Sequence, residues 1–131
     1  MPPVIRRIGQ IAINTHDVDR AVAFYRDALG LEFLFRAGPL AFLMCGDVRI
    51  MLSVAERSEF DHPSSIVYFS VEDIHAARDE LAARGVPFED EPHLIAEMED
   101  HDLWMTFFRD PDRNYLGLMS EVRRAEKAPS A

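Results

Sequence analysis

The chain contains an internal repeat, and this repeat constrains its fold more than any other feature. Residues 11–30 read IAINTHDVDRAVAFYRDALG and residues 67–85 read VYFSVEDIHAARDELAARG. Asp17 aligns with Asp73 at an offset of 56 residues, and one deletion brings the closing glycines of both segments into line. A repeated segment of this kind is a supersecondary unit that buries its apolar face only against a neighbouring unit. We therefore expect two similar units that pack together.

The ends of the two halves also match. Met51-Leu52-Ser53 aligns with Leu118-Met119-Ser120 at an offset of 67 residues. The alternation of apolar residues across Ile8–Asn14 predicts a first strand, and apolar residues at helical spacing follow from Val18. Glycines end both predicted helices, and the preceding Asp17 and Asp73 are expected to cap them. In the first half, the pattern predicts a helix up to Gly30, then strands at 32–36, 40–45 and 48–53.

The second half follows the same plan. A strand is predicted at 65–71, a helix at 74–84 and a short strand at 86–90; a polar loop then leads to strands at 102–108 and 115–121. The predicted fold class is α+β, with two tandem βαβββ units that form concave mixed sheets, each with a helix on its outer face. We expect a single domain over 1–122 with units at about 5–54 and 64–122, a linker at 55–63 and a disordered tail at 123–131.

Composition excludes several classes of function. The net charge of −9 would repel nucleic acid and anionic membranes, so neither is expected as a partner. The single cysteine, Cys45, excludes an internal disulfide and is expected to be a buried structural residue. The chain has no long apolar run and no apolar signal core, which favours a cytoplasmic protein.

Two motifs resemble those of a known family. The first is the strand and helix of 11–30, with the pattern D-x-x-x-A-x-x-F-Y-x-x-x-L-G, and the second is Asp110-Pro111-Asp112-x-Asn114 before the last strand. With the repeat, they make the chain similar to the vicinal-oxygen-chelate superfamily, which includes glyoxalase I, extradiol dioxygenases, fosfomycin resistance proteins and bleomycin resistance proteins. The resemblance covers about residues 5–122 and implies the fold above, but one fold hosts several chemistries.

The resemblance also identifies four positions that hold metal ligands in metal-dependent relatives. In this sequence they carry over to Gln10, Ile50, Ile66 and Gly117. Three of these residues have no side chain that binds a metal, and one amide oxygen does not hold a divalent ion. We therefore expect no cofactor at this site and a metal-free binding protein of the bleomycin-resistance kind.

A concave pocket between the units is expected to hold a largely apolar or aromatic ligand. The acidic balance favours a cationic aromatic compound, and Gly117 in mid-strand suggests close approach of another group. Arg49, within an apolar strand, is expected to pair with a carboxylate or to reach an acidic ligand group. The resemblance also implies a homodimer. The predicted ligand-binding residues are Gln10, Phe42, Ile50, Leu52, Ile66, Tyr68, His93, Trp104, Tyr115, Gly117 and Met119.

An enzymatic alternative stays open. His93, Glu97 and His101 are spaced four residues apart, so on a helix they would share a face and bind zinc. A glyoxalase-like lyase or a dioxygenase would then have a relocated metal site that uses His93, Glu97, His101 or Gln10. The simpler interpretation of this stretch is a polar surface loop. A metal-free enzyme that uses Tyr68, His93 or Tyr115 as acid or base is a further possibility.

Overall fold

The computed structural model describes residues 4–123. The chain divides into two compact units, Met1–Ser64 (unit 1) and Ser65–Ala131 (unit 2). Apart from Arg123, which ends the last strand, the predicted tail at 123–131 lies outside the described residues. No helix within residues 4–123 is both long and apolar enough to cross a membrane.

The described part of unit 1 contains an α-helix, a four-stranded sheet and a 3-10 helix at Ser58–Phe60. Strand β1 and helix α1 come first, and a π-helical segment, Ala23–Ala28, continues the helix. Strand β1 is parallel to β4, and the other pairs are antiparallel, in the order β1-β4-β3-β2. The elements are β1 (Gln10–Asn14), α1 (Val18–Val22), β2 (Glu32–Ala37), β3 (Leu40–Cys45) and β4 (Val48–Ser53).

Unit 2 repeats this architecture in the strand order β5-β8-β7-β6, with β5 parallel to β8. Its elements are β5 (Val67–Ser70), α2 (Ile74–Ala83), β6 (His93–Glu97), β7 (His101–Arg109) and β8 (Tyr115–Arg123). The predicted fold class is confirmed, because the chain forms two mixed four-stranded sheets, each made by a βαβββ unit.

Both helices begin at the predicted caps, and α2 also ends where the sequence predicts. The Asp17 carboxylate accepts a hydrogen bond from the backbone N–H of Arg20, and Asp73 accepts one from the N–H of Ala76. These bonds satisfy N–H groups that have no partner within the helix. Gly85 has a φ of 94°, a conformation that L residues rarely adopt, and this turns the chain out of α2.

The prediction of one continuous α-helix from Val18 to Gly30 is wrong beyond Val22. From Ala23 onward the turns widen, and the N–H of Leu29 donates to the carbonyl of Phe24, five residues back. Tyr25 is fully buried in this segment. The spacing of the apolar residues predicted which side of the segment is buried. It did not reveal the π-helix, because a short segment with this spacing buries the same side in a π-helical turn as in an α-helical turn.

The second short strand of unit 2 lies later in the chain than predicted. Residues 86–90 form only an isolated bridge between Phe88 and Phe108, and strand β6 follows at His93–Glu97. Pro87 and Pro92 lack the N–H that a strand needs, so residues 86–92 do not form a regular ladder. The predicted polar loop is therefore mostly strand, joined to β7 by a turn in which Met98 N–H donates to the His101 carbonyl.

Each sheet has one face against its own helix, which we call the helix face, and an opposite face. In unit 1, α1 contacts β3 and β4. Alternate residues of the sheet are almost fully buried there: Ile13, Ala41, Leu43, Ile50 and Leu52. In unit 2, α2 contacts β7 and β8. The corresponding buried residues are Thr106, Phe108, Leu116, Leu118 and Ser120.

The turn before β8 depends on one buried carboxylate. Asp110 is 5% exposed and accepts hydrogen bonds from the backbone N–H groups of Asp112 and Asn114 and from the Asn114 side-chain amide. Arg113 then has a φ of 67°, which the surrounding bonds hold in place. The turn aligns β7 with β8 and so determines which side chains of the two strands meet.

We predict that Asp110→Ala lowers the free energy of unfolding by about 3 kcal/mol, because it leaves buried donors without a charged acceptor. Asp79→Ala removes an exposed carboxylate from α2 and serves as the matched control, with an expected change of less than about 0.5 kcal/mol. Urea unfolding followed by circular dichroism measures both. Equal effects of the two substitutions would contradict this role for Asp110.

Candidate functional site

Strand pairing corrects the alignment of the two halves. Ala12 lies beside Met51 in unit 1, and Tyr68, which corresponds to Ala12, lies beside Gly117 in unit 2. Met51 is therefore the counterpart of Gly117, at an offset of 66 residues rather than the predicted 67. A shift of one residue moves every side chain of a strand to the other face. Both faces of β4 and β8 are largely apolar, so the sequence pattern did not distinguish the two alignments.

Three predicted ligand-binding residues lie on the helix faces, and this correction accounts for two of them. Ile50 and Leu52 lie on the helix face of unit 1 and are at most 1% exposed. Trp104 lies on the helix face of unit 2, where its ring packs edge-on against His75 of α2 with centroids 5.6 Å apart. It lines a cavity of about 280 Å³ beside the start of α2. The predicted placement of Ile50 and Leu52 on the opposite face is wrong, whereas a ligand-binding role for Trp104 stays a prediction.

An aromatic cluster occupies the opposite face of unit 2, with Phe107 at its centre. Tyr115 stacks on Phe107 with centroids 5.0 Å apart and planes 9° apart. Tyr68 packs edge-on at 6.0 Å, and the His93 ring lies at 6.4 Å. The predicted grouping of Tyr68, Tyr115 and Gly117 on one face is confirmed by the strand register. We call Tyr68, His93, Phe107 and Tyr115 the aromatic cluster.

Phe107 was not among the predicted site residues, although the sequence contained a signal for it. The turn at residues 110–114 is centred on Asp112, so an antiparallel hairpin with that centre places position 107 beside position 117. The structure has this register, with Phe107 paired to Gly117. Met119 lies two residues further along the same face and pairs with Met105. Ile66 precedes β5 and is 44% exposed.

Gly117 lies under the rings of the aromatic cluster. A Cβ at this position would be 2.9 Å from Cδ1 of Tyr68 and 3.1 Å from Cε1 of Phe107. Those distances are shorter than van der Waals contact, so only glycine fits without movement of a ring. The glycine thus lets two aromatic side chains lie close to the sheet.

Asp90 anchors one edge of the cluster. Its Oδ1 accepts hydrogen bonds from the Thr106 hydroxyl at 2.7 Å and from the Phe107 backbone N–H at 3.0 Å. The Nδ1 of His93 donates to the Glu91 carbonyl at 3.0 Å and lies 3.7 Å from Oδ2 of Asp90. Since a carbonyl only accepts, Nδ1 carries the proton in neutral His93, and Nε2 is then the basic nitrogen.

The phenol of Tyr115 ionises less readily than an ordinary tyrosine. Partial burial raises the pKa of Tyr115, and the negative charges of Asp90 and Glu89 raise it further. Arg109, whose guanidinium lies 4.8 Å from the centre of the Tyr115 ring, opposes this shift. Tyr115 is therefore a neutral hydrogen-bonding group at physiological pH.

The opposite face of unit 1 is more polar. The Arg49 Nε donates to the Gln10 Oε1 at 2.6 Å, and its guanidinium lies 5.2 Å from the centre of the Phe42 ring. Phe42 in turn stacks on Phe35 with centroids 4.6 Å apart. Gln10 and Phe42, both predicted site residues, are thus joined through Arg49. Cys45, at the end of β3, is half-buried rather than fully buried, and burial raises the pKa of its thiol.

The alternative of a zinc site on a helix is not formed, because the stretch is a strand, a turn and a second strand. His93 pairs with Met105 on the opposite face, whereas Glu97 pairs with Asp102 and His101 with Arg123. Across residues 4–123, no three side chains of the types His, Cys, Asp and Glu lie together as a metal site.

Comparisons with known proteins agree with this architecture. The family model of the Glyoxalase/Bleomycin resistance protein/Dioxygenase superfamily matches residues 7–118. The chain belongs to this superfamily.

A curated relative is the uncharacterized protein YraH of Bacillus subtilis (strain 168), which is 27% identical over 124 residues, covering 84% of this chain and 94% of the relative. Among solved structures, a superfamily member from Sphaerobacter thermophilus superimposes with a TM-score of 0.77 at 22% identity, covering 91% of this chain and all of the other. Lactoylglutathione lyase from Agrobacterium tumefaciens superimposes with a TM-score of 0.72 at 24% identity, covering 92% of this chain and 96% of the other. These two structures share the fold.

The residues at the family's metal positions do not fit a divalent ion. With the corrected alignment, the four positions hold Gln10, Met51, Ile66 and Gly117. They supply one amide and one thioether, whereas Zn²⁺, Fe²⁺ and Mn²⁺ need several imidazole, carboxylate or thiolate ligands. In addition, the Gln10 amide oxygen already accepts a hydrogen bond from the cationic Arg49. We derive no metal-assisted step for this chain.

We predict that Gly117→Ala displaces the Tyr68 ring, because the added Cβ would overlap it. The free energy of unfolding should fall by about 1 kcal/mol, the lower range for an overpacked site. Ring resonances of selectively labelled tyrosine should move for Tyr68 and stay unchanged for Tyr25. Gly9→Ala is the control, since a Cβ there meets nothing within 4 Å. Unmoved Tyr68 resonances in Gly117→Ala would contradict the packing described here.

We also predict a pH effect from Tyr115. Because its pKa is raised in the folded protein, the unfolded chain loses this proton at lower pH than the folded chain does. Stability therefore falls as pH rises from the ordinary tyrosine pKa through the raised value. The difference in tyrosinate absorbance between wild type and Tyr115→Phe should have its titration midpoint above pH 10.0, the ordinary pKa of tyrosine. A midpoint below that value would contradict the assigned environment.

Proposed function

We propose that this protein binds an apolar or aromatic small molecule without a metal ion, in the manner that the bleomycin resistance members of the superfamily suggest. The aromatic cluster of unit 2 carries the proposal. Tyr68 is 43% exposed, so a large part of its ring surface is available to a ligand. Aromatic surfaces bind flat apolar compounds by stacking and by removal of apolar area from water.

The charge around the cluster favours a cationic aromatic ligand. Asp90 and Glu89 are close enough to raise the pKa of Tyr115, and the whole chain carries a net charge of −9. A ring face attracts a cation as well. Arg109 is the nearby positive group, and it is already paired with Glu89 at 2.7 Å. Neutral and cationic compounds are thus expected to bind more tightly than anionic ones.

The experiment compares three planar probes, the cation proflavine, neutral 2-naphthol and anionic 2-naphthoate, by fluorescence titration and thermal unfolding. Proflavine should raise the unfolding temperature, because ligand that binds only the native state stabilises it. We predict that Tyr68→Ala weakens proflavine binding by about tenfold, the effect of losing one stacking surface.

Phe60→Ala is the matched control, since it removes a ring that is 55% exposed and lies in unit 1, outside the aromatic cluster. Its affinity for proflavine should equal that of wild type. Equal losses in both variants, or no binding of any of the three probes, would contradict the proposal.

A second candidate function is metal-free proton transfer, and one observation favours it. The hydrogen bond from His93 Nδ1 to the Glu91 carbonyl leaves Nε2 as the proton-accepting nitrogen of the neutral ring, and both His93 and Tyr115 pack on Phe107. Mass spectrometry of bound probes after incubation distinguishes the two functions. A binding protein returns its ligand unchanged, whereas an acid–base enzyme converts it and loses that conversion in His93→Ala.

We also propose that the protein is a homodimer, as the family resemblance implies. Strand β6 is an edge strand, and its Leu94 and Ile95 side chains are 42% and 45% exposed. Edge strands with exposed apolar residues are common sites of association. Sedimentation velocity at micromolar concentration should give the mass of two chains, and a single species of one chain would remove this part of the proposal.

A further inference from the structure

The opposite face of unit 1 carries a cation whose charge no carboxylate balances. Among residues 4–123, no Asp or Glu oxygen lies within 4.0 Å of the Arg49 guanidinium. Other arginines have such a partner, among them Arg26, Arg36, Arg57, Arg78, Arg84 and Arg109. In a chain with 23 acidic residues, Arg49 thus lies on the central strand β4 without a carboxylate partner.

Neutral groups hold this arginine in place. The Gln10 Oε1 accepts from Nε at 2.6 Å, and the Phe42 ring lies beneath the guanidinium at 5.2 Å. An amide oxygen and a ring face orient the guanidinium plane without cancelling its charge. Within residues 4–123, the two Nη groups of Arg49 have no hydrogen-bond partner. Two parallel N–H donors at the end of a fixed guanidinium match the two oxygens of a carboxylate or a phosphate.

Arg49 also lines a cavity of about 390 Å³, large enough for a small anionic group. Arg7 forms a second positively charged wall, and its Nη1 donates to the Asp47 backbone carbonyl at 3.1 Å. Asp47 supplies the one carboxylate among the lining residues, so the two guanidinium groups leave an excess of positive charge. The lining residues are Arg7, Gly9, Gln10, Met44, Asp47 and Arg49.

From these contacts we infer that Arg49, supported by Gln10 and Arg7, forms a binding site for the carboxylate or phosphate group of a small molecule. The site lies in unit 1 and does not depend on the aromatic cluster of unit 2. Its ligand has at least two oxygens that share a negative charge. Arg49, which stood out in the sequence for its apolar neighbours, thus binds the anion. Gln10 orients its guanidinium group.

Inorganic phosphate and benzoate are the probes, titrated separately at low ionic strength and followed by the ¹⁵N–¹H resonance of the Arg49 Nε–Hε group. Both oxyanions should shift this resonance saturably, and chloride at the same ionic strength should not. A phosphate response without a benzoate response identifies a phosphate site, and the reverse identifies a carboxylate site. Equal responses to chloride and to both oxyanions would overturn the inference, since they indicate general screening.

Variants of Arg49 lack the Nε–Hε group, so binding to them is followed by the backbone amide resonances of Gln10 and Asp47. Arg49→Gln should weaken binding of the effective probe by about tenfold, the loss of a charge-assisted bidentate contact. Arg57→Gln is the matched control, because it removes the same charge from an exposed arginine already paired with Glu59. Unchanged affinity in Arg49→Gln, or equal losses in both variants, would overturn the inference.

Arg49→Lys covers the case in which Arg49→Gln does not fold. Lysine keeps the charge but presents it as a point, so affinity should fall several-fold without disappearing. If Arg49→Lys bound the probe with wild-type affinity, bidentate hydrogen bonding by the guanidinium would be ruled out. Tyr68→Ala should leave binding of the effective probe unchanged, which separates failure of this site from failure of the aromatic site.

Discussion

In each unit the first strand pairs in parallel with the last, and the rest of the structure depends on this pairing. A parallel pair cannot be joined by a tight turn, so the chain must cross one face of the sheet, and the helix makes that crossing. The helix then covers the face that carries Ile13, Ile50 and Leu52 in unit 1. The aromatic cluster of unit 2 and Arg49 of unit 1 lie on the opposite faces for this reason, since successive side chains of a strand point to opposite sides.

The same face carries different chemistry in the two units. In unit 2, Gly117 brings Tyr68 and Phe107 close to the sheet, and the result is an apolar surface with carboxylates at its edge. In unit 1 the counterpart of that glycine is Met51, and its neighbour on the same face of β4 is Arg49. The repeat therefore supplies one scaffold for two unlike surfaces, one suited to a ring and one suited to an anion. Among residues 4–123, neither surface brings together three His, Cys, Asp or Glu side chains that could hold a metal ion.

Much of the fold could be predicted from the sequence. The repeat, the capping Asp17 and Asp73 and the closing glycines are local signals, and local hydrogen bonds and backbone conformation are what they determine. The π-helical segment was missed because its apolar spacing resembles that of an α-helix. The position of β6 was predicted too early in the chain. The apolar residues of 86–90 indicated a strand there, although Pro87 and Pro92 lack the N–H groups that a strand needs.

The candidate site was less predictable, since it depends on register. Gly117, Tyr68 and Tyr115 were placed together correctly because each follows by alternation along its own strand. Ile50 and Leu52 were placed on the wrong face because an apolar triplet fits two offsets equally well. The Arg49–Gln10 contact joins residues 39 positions apart, and only the pairing of β1 with β4 makes them neighbours. Non-local contacts of this kind are not contained in local patterns.

The central claim is that aromatic side chains of unit 2, without a metal, bind the ligand. Its most direct test is ¹⁹F NMR of protein labelled with 3-fluorotyrosine, since the chain has only Tyr25, Tyr68 and Tyr115. The spectrum is recorded with a bound planar aromatic compound, with and without a metal chelator. We expect that the Tyr68 and Tyr115 resonances shift, that the resonance of buried Tyr25 does not, and that the chelator changes none of them. Loss of the shifts on chelation, or a shift confined to Tyr25, would contradict it.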